Sequence, residues 1–421
     1  MKKIVLVSLN MNIDIDSYTT KSITRFIPEG LLYLATPLLK AGYDVRICDM
    51  AKEKNLDFDA DIFGITGLPN QLAQMKKITG GIRKNNPKAK IALGGPFISC
   101  AIKWLKDLLD FDVAIIGEAE NAIVPILENL SKNSTTKKIV FANTFPKVTD
   151  FFQPALDLIE LPWYLNGQHR IFNYSLPAPT INNLMLSRGC PNSCNFCCQP
   201  FGKKVRPLSH EHINFILESY AKAGAKSIRF QDDNWQYLQP KMTRYVLEKL
   251  SELGLQVAIN SRVDDLTDDF MKNISRYEAI KQISFGVESL SQTSLRTTRK
   301  GTSVKQIKRV IKLCRQHNIE PSFFIIIGLP GENKSSIQAM TQLIKEERIF
   351  PQFYFLLPIP GTIYWDIFLE KYPAEKAFEL FDNWDIKQGI GKKLFFNITD
   401  LSDHALQDYY SELKKIQKSF Y

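Results

Sequence analysis

From Lys3 onward short apolar runs alternate with amphipathic stretches, and after a polar interruption the alternation restarts with longer units. No other feature of the chain narrows its fold as much. Lys3–Ser8, Asp44–Asp49, Ile62–Thr66, Ala89–Leu93 and Val113–Ile116 read as strands. Between them, Gly30–Ala41, Pro69–Asn85, Ile98–Leu109 and Glu120–Leu130 repeat apolar residues at helical spacing. Strands that alternate singly with helices pair in parallel, because each crossover helix returns the chain to the same edge. Residues 1–135 therefore predict an α/β domain, a Rossmann-like, doubly wound parallel sheet of about five strands with ligands at the strands' carboxyl ends.

The polar stretch Ser131–Lys138 and the prolines at 146, 154, 162, 177 and 179 break this rhythm and mark 136–180 as a linker. Strand candidates return at Asn183–Ser187, Ser227–Gln231, Leu255–Ser261, Gln282–Gly286, Pro321–Ile327 and Phe353–Leu357. Helical stretches such as His210–Ala223, Met242–Leu253 and Ser303–His317 separate them. Residues 181–370 thus predict a partial (βα)6 TIM-like barrel, again with its site at the strands' carboxyl ends. Residues 371–421 read as a short helical region, clearest at Leu401–Lys415.

Composition excludes several classes. Hydrophobic residues make up 44% of the 421, enough for real cores. The formal charge of +10 is not gathered in a tail and reads first as a solvated lysine-rich surface. The opening Met1–Asn10 lacks the length and cleavage site of a signal peptide. No run approaches the ~20 apolar residues of a membrane helix. A cytoplasmic setting follows, in which thiols stay reduced and the seven cysteines form no disulfide framework.

Four of those cysteines fall between Cys190 and Cys198, directly after the first barrel strand. Cys190, Cys194 and Cys197 are spaced C-x3-C-x2-C. Three thiolates on one tight loop suit three irons of a [4Fe–4S] cluster and leave the fourth iron open to a small molecule. Zinc is the rival, but it calls for a fourth ligand and favours paired C-x2-C units, and no second pair exists. Cys198 reads as a spare donor, a sulfur participant or a small residue at a helix start. Cys48, Cys100 and Cys314 sit in apolar runs and read as core.

This spacing, the aromatic Phe196 before the last cysteine and the position after a first barrel strand resemble the radical S-adenosylmethionine (SAM) superfamily. The resemblance implies that SAM binds the open iron through its amino and carboxylate groups. One electron then cleaves the sulfonium bond, giving methionine and a 5′-deoxyadenosyl radical that abstracts hydrogen from a substrate. It also implies SAM contacts at later strand ends. Gln231, Asp232 and Asp233 suit the ammonium group. Ser261 and Arg262 follow, and a guanidinium forks onto a carboxylate. Glu288 suits the ribose hydroxyls, Gly328 permits close backbone approach to adenine, and Leu357 ends the sixth strand beside Phe196 in the same set. Structural roles compete: a helix cap for either aspartate, and a pair between Arg262 and Asp264 or Asp265.

The N-terminal region resembles the cobalamin-binding domains fused to such barrels. That family contacts the corrin and its nucleotide tail at positions matched here by Pro28, Glu29, Gly30, Thr66, Leu68, Asn70, Gln71, Gly94, Gly95, Pro96, Gly117 and Glu118. There is no Asp-x-His-x-x-Gly motif, and His169 is the first histidine of the chain. A bound cobalamin therefore takes no lower histidine ligand from this domain, and Thr66–Gln71 is expected beneath the cobalt. Phe97 stands where relatives often carry histidine. The helix-borne His210, His212, His317 and His404 read as surface or capping residues.

The implied activity is methylation of an unactivated carbon of a small molecule or peptide. The electron comes from an external one-electron reductant of flavodoxin or ferredoxin type. The alternative is a radical rearrangement, cyclisation, oxidation or epimerisation, with or without cobalamin. Methylthiotransferases acting on tRNA resemble a different arrangement with three N-terminal cysteines, and only Cys48 and Cys100 precede the motif here. A nucleic-acid partner is therefore not expected, nor is a membrane. Tyr174, Tyr364, Trp365 and Trp384 are candidates for contact with an extended substrate.

Overall fold

The computed structural model describes residues 2–9, 13–17, 20–132, 138–142, 152–167, 176–349, 351–382 and 394–419. His169, Tyr174 and Trp384 lie outside them. Among the described residues there are two six-stranded parallel sheets. The first half contains β1 (Lys3–Ser8), a short hairpin of β2 (Ile13–Ser17) and β3 (Thr20–Thr24), then β4 (Asp44–Asp49), β5 (Ile62–Thr66), β6 (Lys90–Gly94), β7 (Val113–Ile116) and β8 (Lys138–Phe141). Helices α1 (Glu29–Lys40), α2 (Leu72–Asn85), α3 (Pro96–Leu105) and α4 (Ile123–Lys132) join them. The sheet order is β4-β1-β5-β6-β7-β8. Because β1 has β4 on one side and β5 on the other, the connections diverge there and open a crevice at the carboxyl ends. Ile4 to Ser8 are buried without interruption, as strands covered by helices on both faces must be.

The sixth strand was not anticipated. Lys138–Phe141, read as linker, pairs in parallel with β7. It is an edge strand whose Ile139 and Phe141 are exposed, so no burial pattern marks it.

The second sheet runs β16-β15-β14-β13-β12-β9. Its strands are β9 (Thr180–Leu184), β12 (Ser227–Phe230), β13 (Gln256–Ser261), β14 (Ile280–Glu288), β15 (Glu320–Ile327) and β16 (Pro351–Phe355). A small ribbon, β10 (Ser187–Arg188) with β11 (Arg206–Pro207), follows β9. The helices are α5 (His210–Lys222), α6 (Pro240–Glu252), α7 (Asp268–Ser275), α8 (Gln292–Thr297), α9 (Val304–Gln316), α10 (Lys334–Glu347), α11 (Ile363–Lys371), α12 (Ala374–Asp382) and α13 (Asp403–Ser419). The sheet curls into a partial barrel. Arg229 on β12 and Tyr354 on β16 act on each other electrostatically although β13, β14 and β15 stand between their strands. The first strand lies three residues earlier than Asn183–Ser187. Asn182 and Asn183 concealed it, and only Met185 and Leu186, which follow its last residue Leu184, belong to the turn.

The two halves pack as one body. A single core cluster joins Val5, Ile91 and Phe97 of the first sheet's layers to Leu356, Trp365 and Phe378 from beyond the barrel strands. Trp104 meets Trp365 edge to face at 5.1 Å. Tyr364 and Trp365, candidates for substrate contact, are spent on this packing. Among the described residues no helix is long and apolar enough to cross a membrane.

Candidate active site

The cysteine loop leaves the β10–β11 ribbon and is pinned by the backbone. Cys190 N–H donates to Gly202 O and Asn195 N–H to Thr298 O, both at 3.1 Å. Gly189 has φ 97°, and a Cβ there would lie 2.3 Å from the Lys204 carbonyl oxygen, so glycine alone makes this turn. The three cysteines are free thiols. Asn192 Nδ2 stands 3.4 Å from Cys190 Sγ, and Arg262 Nη1 stands 3.4 Å from Cys194 Sγ. Donors so placed suit thiolates on an anionic cluster, whose potential depends on hydrogen bonds to sulfur. Among the described residues no three His, Cys, Asp or Glu side chains gather around one point. A cluster takes one thiolate at each of three irons, and the three thiols here lie on one loop. The donor set fits the cluster.

Barrel strand ends converge on this loop. Arg262 also donates to Asp264 Oδ2 at 2.6 Å and to the Lys300 carbonyl. Lys300 Nζ donates to Glu288 Oε1 at 3.1 Å and lies 5.6 Å from the centre of the Phe196 ring. Glu288 has φ 65°, a strain of ~1–3 kcal/mol for a residue with a Cβ, and such strain gathers at functional sites. Gln231 Oε1 accepts from Asn260 at 3.3 Å. Ser261 is buried and turned to the Arg262 carbonyl at 3.2 Å. Gly328, at φ 92°, donates its N–H to Glu332 at 2.8 Å. Leu357 is half-buried against the core shared with the first sheet.

The paired aspartates part company. Asp232 is 1% exposed and accepts Ser187 Oγ–H at 2.6 Å and Leu186 N–H at 3.2 Å. Burial pushes its carboxyl up to about 6 despite those bonds. Asp232 thus braces the turn into the cysteine loop. Asp233 is exposed and accepts Gly189 N–H, so it borders the loop.

A cavity of about 510 Å³ opens at the carboxyl ends of the first sheet. Its walls include Pro28, Glu29, Gly30, Thr66, Leu68, Gly94, Gly95, Pro96, Gly117 and Glu118, and it reaches Arg188, Pro200 and Phe201 on either flank of the three cysteines. Asn70 and Gln71 do not line it. Gln71 is buried and turned back, accepting Leu68 N–H at 2.7 Å and donating to Leu9 O. Gly95, at φ 96°, is a place where a Cβ would come 2.3 Å from Thr66 Oγ1. A bare-backbone rim around an apolar hollow fits a large macrocycle with a tail.

Residues 184–344 match the radical SAM superfamily, and residues 18–127 match the B12 binding domain. The chain belongs to the radical SAM superfamily and carries a B12-binding domain. It is 26% identical over 331 residues to an uncharacterised methyltransferase of Pyrococcus horikoshii, covering 74% of this chain and 72% of that one. It is 28% identical over 322 residues to the bacteriochlorophyllide d C-12(1)-methyltransferase of Chlorobaculum tepidum, covering 74% and 67%. An anaerobic magnesium-protoporphyrin IX monomethyl ester cyclase of Synechocystis is 24% identical, covering 69% and 62%. Among solved structures, the radical SAM methyltransferase TsrM from Kitasatospora setae superposes with a TM-score of 0.67 at 14% identity, over 86% of this chain and 75% of that one. The cobalamin-dependent SAM radical enzyme OxsB gives 0.64 at 17%, over 100% and 61%. At these identities the likeness to the structures is one of fold. The cofactors of this radical SAM enzyme are SAM, a [4Fe–4S] cluster and cobalamin. Like others of its superfamily it takes a small-molecule substrate and an external reductant.

At the junction between the B12-binding and radical SAM portions, Glu118, one of the positions matched in sequence, meets Arg188 and Arg206, which no motif announced. Arg188 Nη1 donates to Glu118 Oε2 at 2.7 Å and Glu120 Oε1 at 2.6 Å. Arg206 donates to both oxygens of Glu118. These four side chains are at most 10% exposed. Glu118 is therefore held by two guanidinium groups as well as facing the cavity. Beside them burial pushes Glu29 up to about 7, with Arg188 opposing the shift. Ions 70 residues apart in sequence carry no local signal. Cys100 is another surprise: it is half-buried and hydrogen-bonded to Cys198, not a core residue.

Proposed function

We propose that this radical SAM enzyme is a cobalamin-dependent C-methyltransferase acting on an unactivated carbon of a small molecule or short peptide segment. One observation carries the reading. The cavity at the ends of the first sheet reaches Arg188, Pro200 and Phe201, which bracket Cys190, Cys194 and Cys197. The two cofactor sites share a wall, and a substrate radical must meet a methyl donor before it is quenched. When bound, SAM at the cluster supplies a hydrogen-abstracting radical, and cobalamin supplies a transferable methyl group.

The chain's own residues bind and orient. Cys190, Cys194 and Cys197 are the three cluster ligands. Asp233, Gln231 and the Ser261–Arg262 strand end offer acceptors and a cation to the amino-acid end of SAM, and Glu288 offers a carboxylate to its ribose. Gly94, Gly95, Pro96 and Gly117 present backbone to the corrin. Residues 1–168 offer it no imidazole. The packed seam of Trp104, Trp365 and Phe378 keeps water from one side of the site. A flavodoxin or ferredoxin is the expected electron donor.

The test is anaerobic reconstitution with iron, sulfide and hydroxocobalamin, then removal of excess corrin and addition of methyl-labelled SAM. One retained corrin per chain that takes up label supports the reading. A cluster that cleaves SAM with no corrin retained sinks it. A second reading, oxidative cyclisation, is favoured by the likeness to the cyclase of Synechocystis. It predicts corrin binding without uptake of the labelled methyl group into product.

A further inference from the structure

Seven cysteines stand in the chain, and five have clear places. Cys190, Cys194 and Cys197 are the cluster ligands. Cys48 and Cys314 are 0% exposed and belong to the two apolar cores. Cys100 and Cys198 remain, and the proposed function uses neither. Each is half-buried. They are far apart in sequence, one on α3 of the B12-binding portion and the other on the cysteine loop of the barrel. The fold nevertheless brings them together, with a hydrogen bond between the two thiols.

The backbone around them places the pair in the same way. A Cβ added at Gly361 would lie 3.7 Å from Cys198 Cβ, 3.8 Å from Cys100 Cβ and 4.0 Å from Cys100 Sγ. Both cysteines therefore border one point, and Gly361 puts no side chain there. Its φ of 87° is one that glycine adopts freely. A disulfide wants Cβ atoms about 3.5–4.5 Å apart, and thiols already in hydrogen-bond contact need little backbone movement to reach that geometry. The pair also stands where the two halves meet. Ser99, beside Cys100, lines the cavity of the first sheet, and so do Pro200 and Phe201 just after Cys198. Cys197, the third cluster ligand, directly precedes Cys198. A bond between the two thiols would fasten the cavity wall to the cluster loop.

We propose that Cys100 and Cys198 are a modification site, which a low-molecular-weight disulfide oxidises to a reversible bond between the B12-binding portion and the cluster loop. One protein thiol attacks the small disulfide, forms a mixed disulfide and releases one small thiol. The second protein thiol attacks that mixed disulfide, closes the protein bond and releases the other small thiol. Two protein thiols are oxidised, one small disulfide is reduced, and its two thiol products carry the two protons away. A thiol reductant reverses both steps. The bond closes a loop of about 100 residues, which restricts the unfolded chain and stabilises the fold. The inference goes beyond the methyl-transfer reading and does not depend on it, because it takes from the family only the cluster at the other three cysteines of the loop.

The probe is oxidised glutathione. The reconstituted holoenzyme is held anaerobically in glutathione buffers of rising oxidised fraction. Free thiols are then blocked with iodoacetamide in denaturant, and the protein is digested with trypsin without reductant. Mass spectrometry is expected to find peptide 91–103, which holds Cys100, joined to peptide 189–203, with fragmentation placing the bond on Cys198. Dithiothreitol should remove the link, and Cys48 and Cys314 should be found blocked and unlinked. In Cys100→Ser and in Cys198→Ser the remaining thiol should only take up glutathione. That should need about tenfold more oxidised glutathione than the wild-type link, because closure within one molecule benefits from the effective concentration of the second thiol. Iron content, measured in parallel, should hold steady as the link forms. The midpoint of urea unfolding should rise on linking and fall back on reduction. The proposal is overturned by the absence of a link, by a link through Cys190, Cys194 or Cys197, or by one that appears only as iron is lost. It is overturned equally by mixed disulfides that form as readily as the wild-type bond, or by an unfolding midpoint that ignores the bond.

Discussion

The helices of the two halves begin differently. In the barrel, α5, α7, α8, α9, α10 and α11 are capped by the side chains of Ser209, Thr267, Ser291, Ser303, Asn333 and Thr362. In the first half, α1, α2 and α3 start after Pro28, Gln71 and Gly95 with no side-chain cap. The starts of α1 and α3 border the cavity proposed for the corrin. First-turn N–H groups left uncapped are available to a ligand or water. The barrel is finished locally, and in the proposed function it recognises with side chains: Arg262, Lys300, Glu288 and three thiols. The first sheet is unfinished at one end, and in the same proposal it recognises with backbone and shape.

The largest expected effect separates the two regions outright. Cys190→Ala, Cys194→Ala or Cys197→Ala should abolish cluster incorporation, read as iron content and visible absorption, while hydroxocobalamin is still retained. If corrin is lost with the iron, the regions do not bind independently. Cys198→Ala should keep the iron.

The junction comes next. Arg188→Met leaves Glu118 and Glu120 buried without one of their cations, a change of about 3–5 kcal/mol in stability. Urea unfolding measures it, and adding Glu120→Gln should restore part of the loss. Equal stability of Arg188→Met and wild type would mean that the halves are held by apolar packing alone.

A buried acid on the barrel side sets a pH dependence. Burial pushes Glu332 up to about 7 from an ordinary 4.5, although Gly328 and Leu329 N–H groups donate to it. A carboxyl raised in the fold is charged at a cost above about 7, and the cost fades as pH falls through that value towards 4.5. Glu332→Gln should therefore raise thermal stability by the equivalent of about 1–3 kcal/mol above that range and by nothing near 4.5. A gain that is the same at both ends would show that the charge is not its origin.

The smallest effects form a matched pair. Gly95→Ala strains a positive-φ turn and crowds Thr66, and should weaken hydroxocobalamin binding about tenfold with iron content unchanged. Ser303→Ala removes a cap from α9 and should cost about 1 kcal/mol of stability with corrin binding unchanged. A swap of these outcomes would invert the comparison.

Much of this was legible in the chain. β1, β5 and β7 fall where apolar runs predicted them, since strands buried on both faces need no partner's help to be recognised. The C-x3-C-x2-C loop was legible because its chemistry is set by spacing within a few residues. β8 and the true register of β9 were not. One is an exposed edge, and the other carries Asn182 and Asn183 towards polar surroundings. Two aspartates in a row at a strand end do not reveal which of them is buried, and the fold buries Asp232 and exposes Asp233.

Local order and local chemistry, then, belonged to the sequence: the strand–helix rhythm, the three thiols on one loop, and the lack of a histidine before His169. Tertiary structure decided the rest. It brought Arg188 to Glu118 and Glu120, set Arg229 facing Tyr354 across a curled sheet, and turned Gln71 away from the cavity while leaving Thr66 in it. Contacts of that kind form only after the chain between them has been folded into place. Their energy depends on burial and orientation, and neither is written in the spacing of residues along the chain.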